Sequence, residues 1–499
     1  MSLPFIIIVA FEGLVTTCVA VYRSLKSYAL PKFLELKYVI DVKRNMHQIT
    51  IKEFPELDLG DKRRNERFIS VINNISNQPG SSIPKQNGSW YDTKATYEFF
   101  KNESVSLSAL QKAISSYGSS QVKGKGRVLV AHDFCQISYT DLDAEGLGYL
   151  ANKDGRGIVT YNSIAITEDG IPLSLLYQQS YTRPMEALGK AQDRKKVAFE
   201  DKESYHWYRG IASVNEQLGK DIGKIHIADR EADIYELFFC AHDDSADLLI
   251  RAIQNRRVEG GDTLWDAVAG QPPVGMDLEI PDKTGKKRVA IRVEVRFKDV
   301  EILRPYQSGN QYESVSMNAI ELKQISEKQD WQEETLHWKL LTTIPIENVS
   351  DALQCVRWYC YRWLIERFHY VLKSGTKIEE LQLHQASSLQ KAIHVYSIAA
   401  MRIMLLVYQS RETPNVSCEV VLTKEQWAVL YMLVHKTATL PKQPPTLGDA
   451  VKWIARLGGH LGRKSDGHPG LKTVWRGYQR ICDAANILLS INQENLGKA

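Results

Sequence analysis

The feature that most constrains this 499-residue chain is the order of short apolar segments between residues 127 and 253. Arg127 to Ala131 is a compact apolar run closed by His132 and Asp133. Gly157 to Thr167 and Ile171 to Tyr181 flank the turn Glu168-Asp169-Gly170, a hairpin signal. A helical stretch near Ser204 to Leu218 follows, then a strand over Lys224 to Ala228 that ends at Asp229, a predicted helix over Arg230 to Ala241, and a strand over Leu248 to Ile253. This order lets the first and fourth strands pair in parallel through a crossover. Asp133 and Asp229 would then meet in the crevice beyond the strand ends. Taken singly, each aspartate would suit a helix cap or a loop equally well.

The flanks read differently. Leu59 to Ile75 carries a helical stripe of Phe68, Ile69, Ile72 and Ile75, preceded by the cluster Lys62, Arg63, Arg64 and Arg67. Two more helical segments near Trp90 to Lys101 and Ser104 to Ser115 complete a small basic helical unit. Residues 255–345 look like a β-rich insertion, since Val289, Ile291, Val293, Val295 and Phe297 alternate with mostly basic residues. A long helix is predicted from Val349 to Lys373 and a buried one over Leu389 to Gln409. A last helical unit spans Thr446 to Ile491, interrupted by a Gly-rich loop.

The helix at 356–373 holds one acid, Glu366, among Arg357, Arg362, Arg367 and Lys373. On a straight helix, Tyr359, Arg362, Glu366 and Lys373 fall within an arc of roughly 60°. An amphipathic surface helix with a Glu366–Arg362 pair gives the same string. With Asp133 and Asp229 it also suits a two-metal site, in which three carboxylates hold two Mg²⁺ ions about 3.5–4 Å apart for phosphodiester exchange. Oxygen ligands suit Mg²⁺ or Mn²⁺ rather than zinc. The seven cysteines form no C-x-x-C pair and leave an odd one out, which argues for a reducing compartment without a disulfide framework. The net charge of +4 is too mild to identify a polyanionic partner by itself.

Asp133, the string Asp229-Arg230-Glu231-Ala232-Asp233, and Tyr359-x-x-Arg362-x-x-x-Glu366 followed by Lys373 resemble the DDE-type cut-and-paste transposases of bacterial insertion sequences, in the Tn5-like branch with the Y-R-E-K signature. The resemblance runs from about Phe54 to about Ile491 and takes in Leu59 to Arg64 and Tyr97 to Asn102. It implies an α/β fold: a ribonuclease-H-like mixed-sheet catalytic core with an inserted β subdomain, flanked by N-terminal and C-terminal helical domains. The implied divisions are 46–120 for binding the DNA end, 121–254 for the first part of the core, 255–345 for the insertion, 346–412 for the core helices carrying the third acid, and 413–499 for dimerisation.

By the same resemblance, Asp133, Asp229 and Glu366 are the catalytic, Mg²⁺-binding acids. Tyr359, Arg362, Lys373 and Arg251 contact DNA phosphates, Trp338 stacks on a base flipped from the element end, and Arg63, Arg64 and Arg67 recognise that end. The implied reaction nicks the element end, forms and reopens a hairpin, and joins the end to target DNA. It is carried out by a homodimer without a small-molecule cofactor, in the cytoplasm at the nucleoid. Two alternatives are a ribonuclease-H-like nuclease without strand transfer, and a repurposed DNA-binding protein that no longer cuts. The latter is expected to have lost an acid, and all three are present. Position 132 is His where a relative carries an acid. Residues 1–45, apolar from Leu3 to Tyr22, have the length of a membrane-spanning helix but are read as an upstream extension outside the natural fold, with Met46 just before the resemblance begins.

Overall fold

A computed structural model describes residues 49–151, 154–189, 197–239, 245–281, 288–306, 312–325, 336–463 and 466–496. The apolar leader at 1–45 lies outside the described residues. Four helices come first: α1 (Lys62–Asn77), α2 (Ile83–Asn87), α3 (Trp90–Lys101) and α4 (Leu107–Val122). The Asp61 side chain caps α1 by accepting from the Arg63 amide, and Phe68, Val71, Ile72 and Ile75 form its buried stripe.

Strands β1 (Arg127–Ser138), β2 (Gly148–Tyr149), β3 (Arg156–Ile166) and β4 (Pro172–Tyr181) then lead through α5 (Tyr205–Leu218) to β5 (Gly223–Ala228) and β6 (Ala246–Arg251). After α6 (Leu264–Ala269) come β7 (Val274–Pro281), β8 (Arg288–Leu303), β9 (Ser314–Gln324) and β10 (His337–Thr342). The chain closes with α7 (Val349–Cys360), α8 (Trp363–Tyr370), α9 (Ala386–Glu412), α10 (Lys424–His435), α11 (Leu447–Leu457) and α12 (Leu471–Leu496).

The strands join into one mixed sheet in the order β2-β3-β1-β5-β6-β10-β9-β8-β7, with β4 also pairing β3. β1 pairs β5 in parallel, as the strand order led one to expect, and pairs β3 antiparallel. This sheet with helices on its faces and helical flanks is a ribonuclease-H-like core. The β-rich insertion does not stand apart. β10 pairs antiparallel with β6, so β7 to β10 extend the core's own sheet. Alternation along β8 revealed which face is buried, but nothing in it specified this neighbour.

Alternate residues of β1 serve two cores. Leu129, Ala131, Cys135 and Ile137 face a cluster shared with Ile365 and Phe368 of α8 and with Leu389, Ile393 and Tyr396 of α9. Val128 and Val130 face Trp207, Ile211 and Val214 of α5. α9 is long and apolar enough to cross a membrane, but 83% of that stretch is buried inside the protein, which makes it the central core helix. Phe68 and Phe100 from the N-terminal helices and Leu430, Ile454 and Ile481 from the C-terminal ones belong to the same cluster.

Three sequence expectations need correction. β1 runs on to Ser138, so Asp133 lies within the strand rather than beyond its end, although the parallel pairing with β5 stops at Ala131. The helix expected over Arg230 to Ala241 is a pair of short 3₁₀ turns, Arg230–Ala232 and Tyr235–Phe239. Asp233 interrupts it: buried, it accepts from the amides of Ile253 and Gln254 and pairs with Arg256 at 2.6 Å. The long helix over Val349 to Lys373 breaks at Tyr361-Arg362, where i→i−3 hydrogen bonds from the amides of Tyr361, Arg362, Leu364 and Ile365 tighten the turn, and its end is a π turn at Val371–Gly375.

Candidate active site

Extending the β1–β5 register by two residues sets Asp133 beside Asp229. Asp229 follows β5 directly and its carboxylate accepts from the Glu231 amide at 2.8 Å, so it also caps the first 3₁₀ turn. The cap uses one carboxylate oxygen, Oδ1. Glu366 comes from α8, which packs on the face of β1 that Asp133 shares. Arg362 links the two acids: its Nη1 lies 3.6 Å from Asp133 Oδ2 and its Nη2 donates to Glu366 Oε1.

The electrostatics follow from burial. The Asp133 side chain is 17% exposed, and burial pushes its carboxyl up to about 7; Arg362 opposes this, while Asp229 and Glu366 add to it. Burial works against the charge on Arg362, yet Tyr359, Glu366 and Asp133 outweigh it and raise its pKa. Two carboxylates on one guanidinium, with Asp229 beside Asp133, are an acid cluster that needs positive charge, and their all-oxygen donor set suits a hard divalent ion. Glu366 is turned outward, 53% exposed. Among the described residues no three carboxylate, imidazole or thiol groups are close enough as they stand to hold one ion.

The break after α7 redistributes the residues expected on one helix face. Tyr359 is 5% exposed and packs edge-on against Trp338 of β10, with ring centroids 5.1 Å apart. Burial pushes the Tyr359 phenol up to about 12, opposed by Arg362 and by Arg251 at the end of β6. Tyr359, Arg362, Arg251 and Trp338 thus gather beside Asp229 and Asp133. Trp338 is half-buried, packed against the core on one side.

Lys373 stands a little apart, on the π turn, paired with Glu379 at 3.3 Å. Glu379 also accepts from the Ser138 amide at 2.9 Å and so ties the turn to the end of β1. Sequence spacing gave no sign of that partner. The N-terminal arginines are likewise unequal. Arg63 is 90% exposed, Arg64 donates to the Leu59 carbonyl, and Arg67 pairs with Asp92 at 2.9 Å.

Behind the acids lie polar residues that sequence reasoning missed or set aside. His132 and His226 are buried and bonded to each other at 2.8 Å. His369 bonds Asn162, the residue opposite Asp133 in β3, at 3.0 Å. Only the departure at position 132 hinted at them.

A mixed sheet with two acids on adjacent parallel strands and a third on a packed helix defines the class, a DNA transposase of the DDE type, for three family models match along the chain. Residues 46–105 match a transposase DNA-binding family, 223–402 a transposase DDE domain, and 398–487 a Tn5 transposase dimerisation domain. The chain belongs to the Tn5-like DDE transposases, enzymes that cleave DNA and transfer its strands. DNA is therefore a partner, and the chain carries a dimerisation domain. The family works with a divalent metal. Among solved structures, a piggyBac transposase synaptic complex with hairpin DNA is similar at 9% identity and a TM-score of 0.34, over 72% of this chain and 73% of that one.

Proposed function

We propose that this transposase belongs to the Y-R-E-K branch and cuts at the ends of its element with Asp133, Asp229 and Glu366 as the acids that hold Mg²⁺, two ions, with Mn²⁺ able to substitute. When bound, such a pair activates the attacking hydroxyl and stabilises the leaving oxygen. Asp133 and Asp229 form the rigid side of the site, carried by the sheet, and Glu366 closes it from α8. Arg362, freed from the acids, turns to the DNA phosphate beside the cut; Tyr359, Arg251 and Lys373 hold neighbouring phosphates. Trp338 stacks on a base turned out of the duplex, a contact worth ~1–3 kcal/mol. Arg63 leads end recognition with Arg64 and Arg67. The sequence of events is a nick, attack by the freed 3′-OH to give a hairpin, reopening, and joining to target DNA. A homodimer pairs two ends through the C-terminal helices, in the cytoplasm at the nucleoid.

The observation that carries this reading is Arg362 bridging Asp133 and Glu366 beside Asp229. The test is incubation of purified protein with donor DNA bearing the terminal repeats that flank its gene, and Mg²⁺. Nicked, hairpin and joined products are expected from the parent, and none from Asp133→Ala, Asp229→Ala or Glu366→Ala. Parental cleavage by any of the three removes that residue from the site, and cleavage without joined product favours a nuclease.

A further inference from the structure

Two buried hydrogen-bond chains lie behind the acids, one on each face of the sheet: one joins β1 to β5, the strands that carry Asp133 and lead to Asp229, and the other joins the helix of Glu366 to β3, the ladder neighbour of Asp133's strand. On the α8 side, His369 follows Glu366 by three residues, so both lie on neighbouring positions of one helix. Its Nε2 meets Asn162 Nδ2 at 3.0 Å, and Asn162 stands opposite Asp133 in the β1–β3 ladder. Asn162 Oδ1 accepts from Gln178 at 2.7 Å, so its amide nitrogen is the donor and His369 Nε2 the acceptor. Gln178 also donates to Ser397 of α9 at 2.8 Å.

On the α5 side, His226 of β5 bonds Asn215 Oδ1 at 2.8 Å through Nε2. An amide oxygen only accepts, so Nε2 carries the proton and Nδ1 is free to accept from His132 Nε2, 2.8 Å away. His132 Nδ1 in turn receives the hydroxyls of Tyr161 and Ser163, both at 2.9 Å. Every ring nitrogen in this chain has a defined role. His132, His226 and Asn162 are fully buried and His369 is 8% exposed, so none of them has water as an alternative partner at hand. Directional bonds of this kind fix the separation of two elements more narrowly than apolar contact does.

Resting on the assignment of Asp133, Asp229 and Glu366 as the metal-holding acids, we propose that His369 and His226 are positioning residues: His369, through Asn162, sets Glu366 against Asp133, and His226, through His132, sets Asp229 against Asp133. Residues that bond directly to metal-holding side chains carry effects of about 10–100-fold on metal affinity or activity, and that range is taken for these two, which act through the elements that carry the acids.

The test uses amide replacements that differ by one methylene. A Gln amide oxygen falls near the place of a histidine Nε2, and an Asn oxygen near that of Nδ1. His369 acts through Nε2, so His369→Gln is expected to stay within about threefold of the parent and His369→Asn to lose about 10–100-fold. At His226 the acceptor facing His132 is Nδ1, so the order reverses: His226→Asn is retained and His226→Gln loses. The readout is Mn²⁺ binding to the full-length chain on a pre-cleaved end duplex, followed by the electron paramagnetic resonance signal of free Mn²⁺, with cleavage rates alongside. Equal Mn²⁺ affinity within each amide pair overturns the proposal, whatever the level. If one pair fails to fold, the other decides. Asp229→Ala separates the two layers: parental Mn²⁺ affinity there means the acid assignment itself is wrong, whereas its loss together with matched amide pairs means only the positioning role is wrong.

Discussion

Asp229 and Asp233 lie four residues apart in one string and have unlike surroundings. Asp233 is 2% exposed and locked to Arg256, whose side chain is 5% exposed. Removing one partner of a buried pair leaves the other charge unmatched, at a cost of about 3–5 kcal/mol. Asp233→Ala is therefore expected to unfold at much lower urea than the parent, while Asp229→Ala loses one cap bond, about 1 kcal/mol, yet abolishes cleavage. Equal midpoints for the two variants would contradict this division. His226 gives a pH signature. Burial, with Lys224 adding, depresses its pKa from 6.5 to about 3, so the unfolded chain binds more protons than the native one between those values. The stability this histidine contributes is present above about 6.5 and is lost as pH falls toward about 3. Urea midpoints across that range should decline more gently for His226→Asn, and an unchanged slope would mean that His226 is not buried neutral.

At the scale of elements, the strands and the adjacency of Asp133 to Asp229 were legible because buried strands are short apolar runs and their order restricts the crossover, although β1 runs on past Asp133. The shape of the helix carrying Glu366 was not. Its break coincides with a contact from far along the chain: Gly170, at the tip of the β3–β4 hairpin, lies so close to the Tyr361 ring that a Cβ there would sit 2.4 Å from it. No periodicity around residue 361 records that neighbour. Gly170 also has φ of +89°, outside the range other residues adopt without strain. Gly170→Ala is expected to cost roughly 1–3 kcal/mol and to slow cleavage by displacing the joint before Arg362. Urea unfolding with single-turnover cleavage checks it, and a neutral result in both would show that the hairpin tip does not hold the joint. The pairing of β10 with β6 was hidden for a related reason: alternation specifies a face, never a partner strand.

At the scale of the molecule, DNA-binding, catalytic and dimerisation segments share one hydrophobic cluster around α9, in which Phe68, Ile365 and Ile454 all take part. A single thermal unfolding transition is expected for the full chain, and two separated calorimetric peaks would contradict a common core. Net charge of +4 concealed how the cations are used: Arg63 is open to solvent, whereas Lys373 has Glu379 beside it. For end-DNA binding against salt, Lys373→Ala and Arg63→Ala should each flatten the slope by about one counterion.

As proposed above, Asp133, Asp229 and Glu366 together hold the ions that cut DNA. Cleavage by Asp133→Cys, Asp229→Cys and Glu366→Cys, compared in Mg²⁺ and in Mn²⁺, tests it most directly. A thiolate is a poor ligand for Mg²⁺ and a better one for Mn²⁺. Cleavage is expected to be lost in Mg²⁺ and partly restored in Mn²⁺ for each variant; the same activity in both metals, at any level, would rule out direct ligation by that residue.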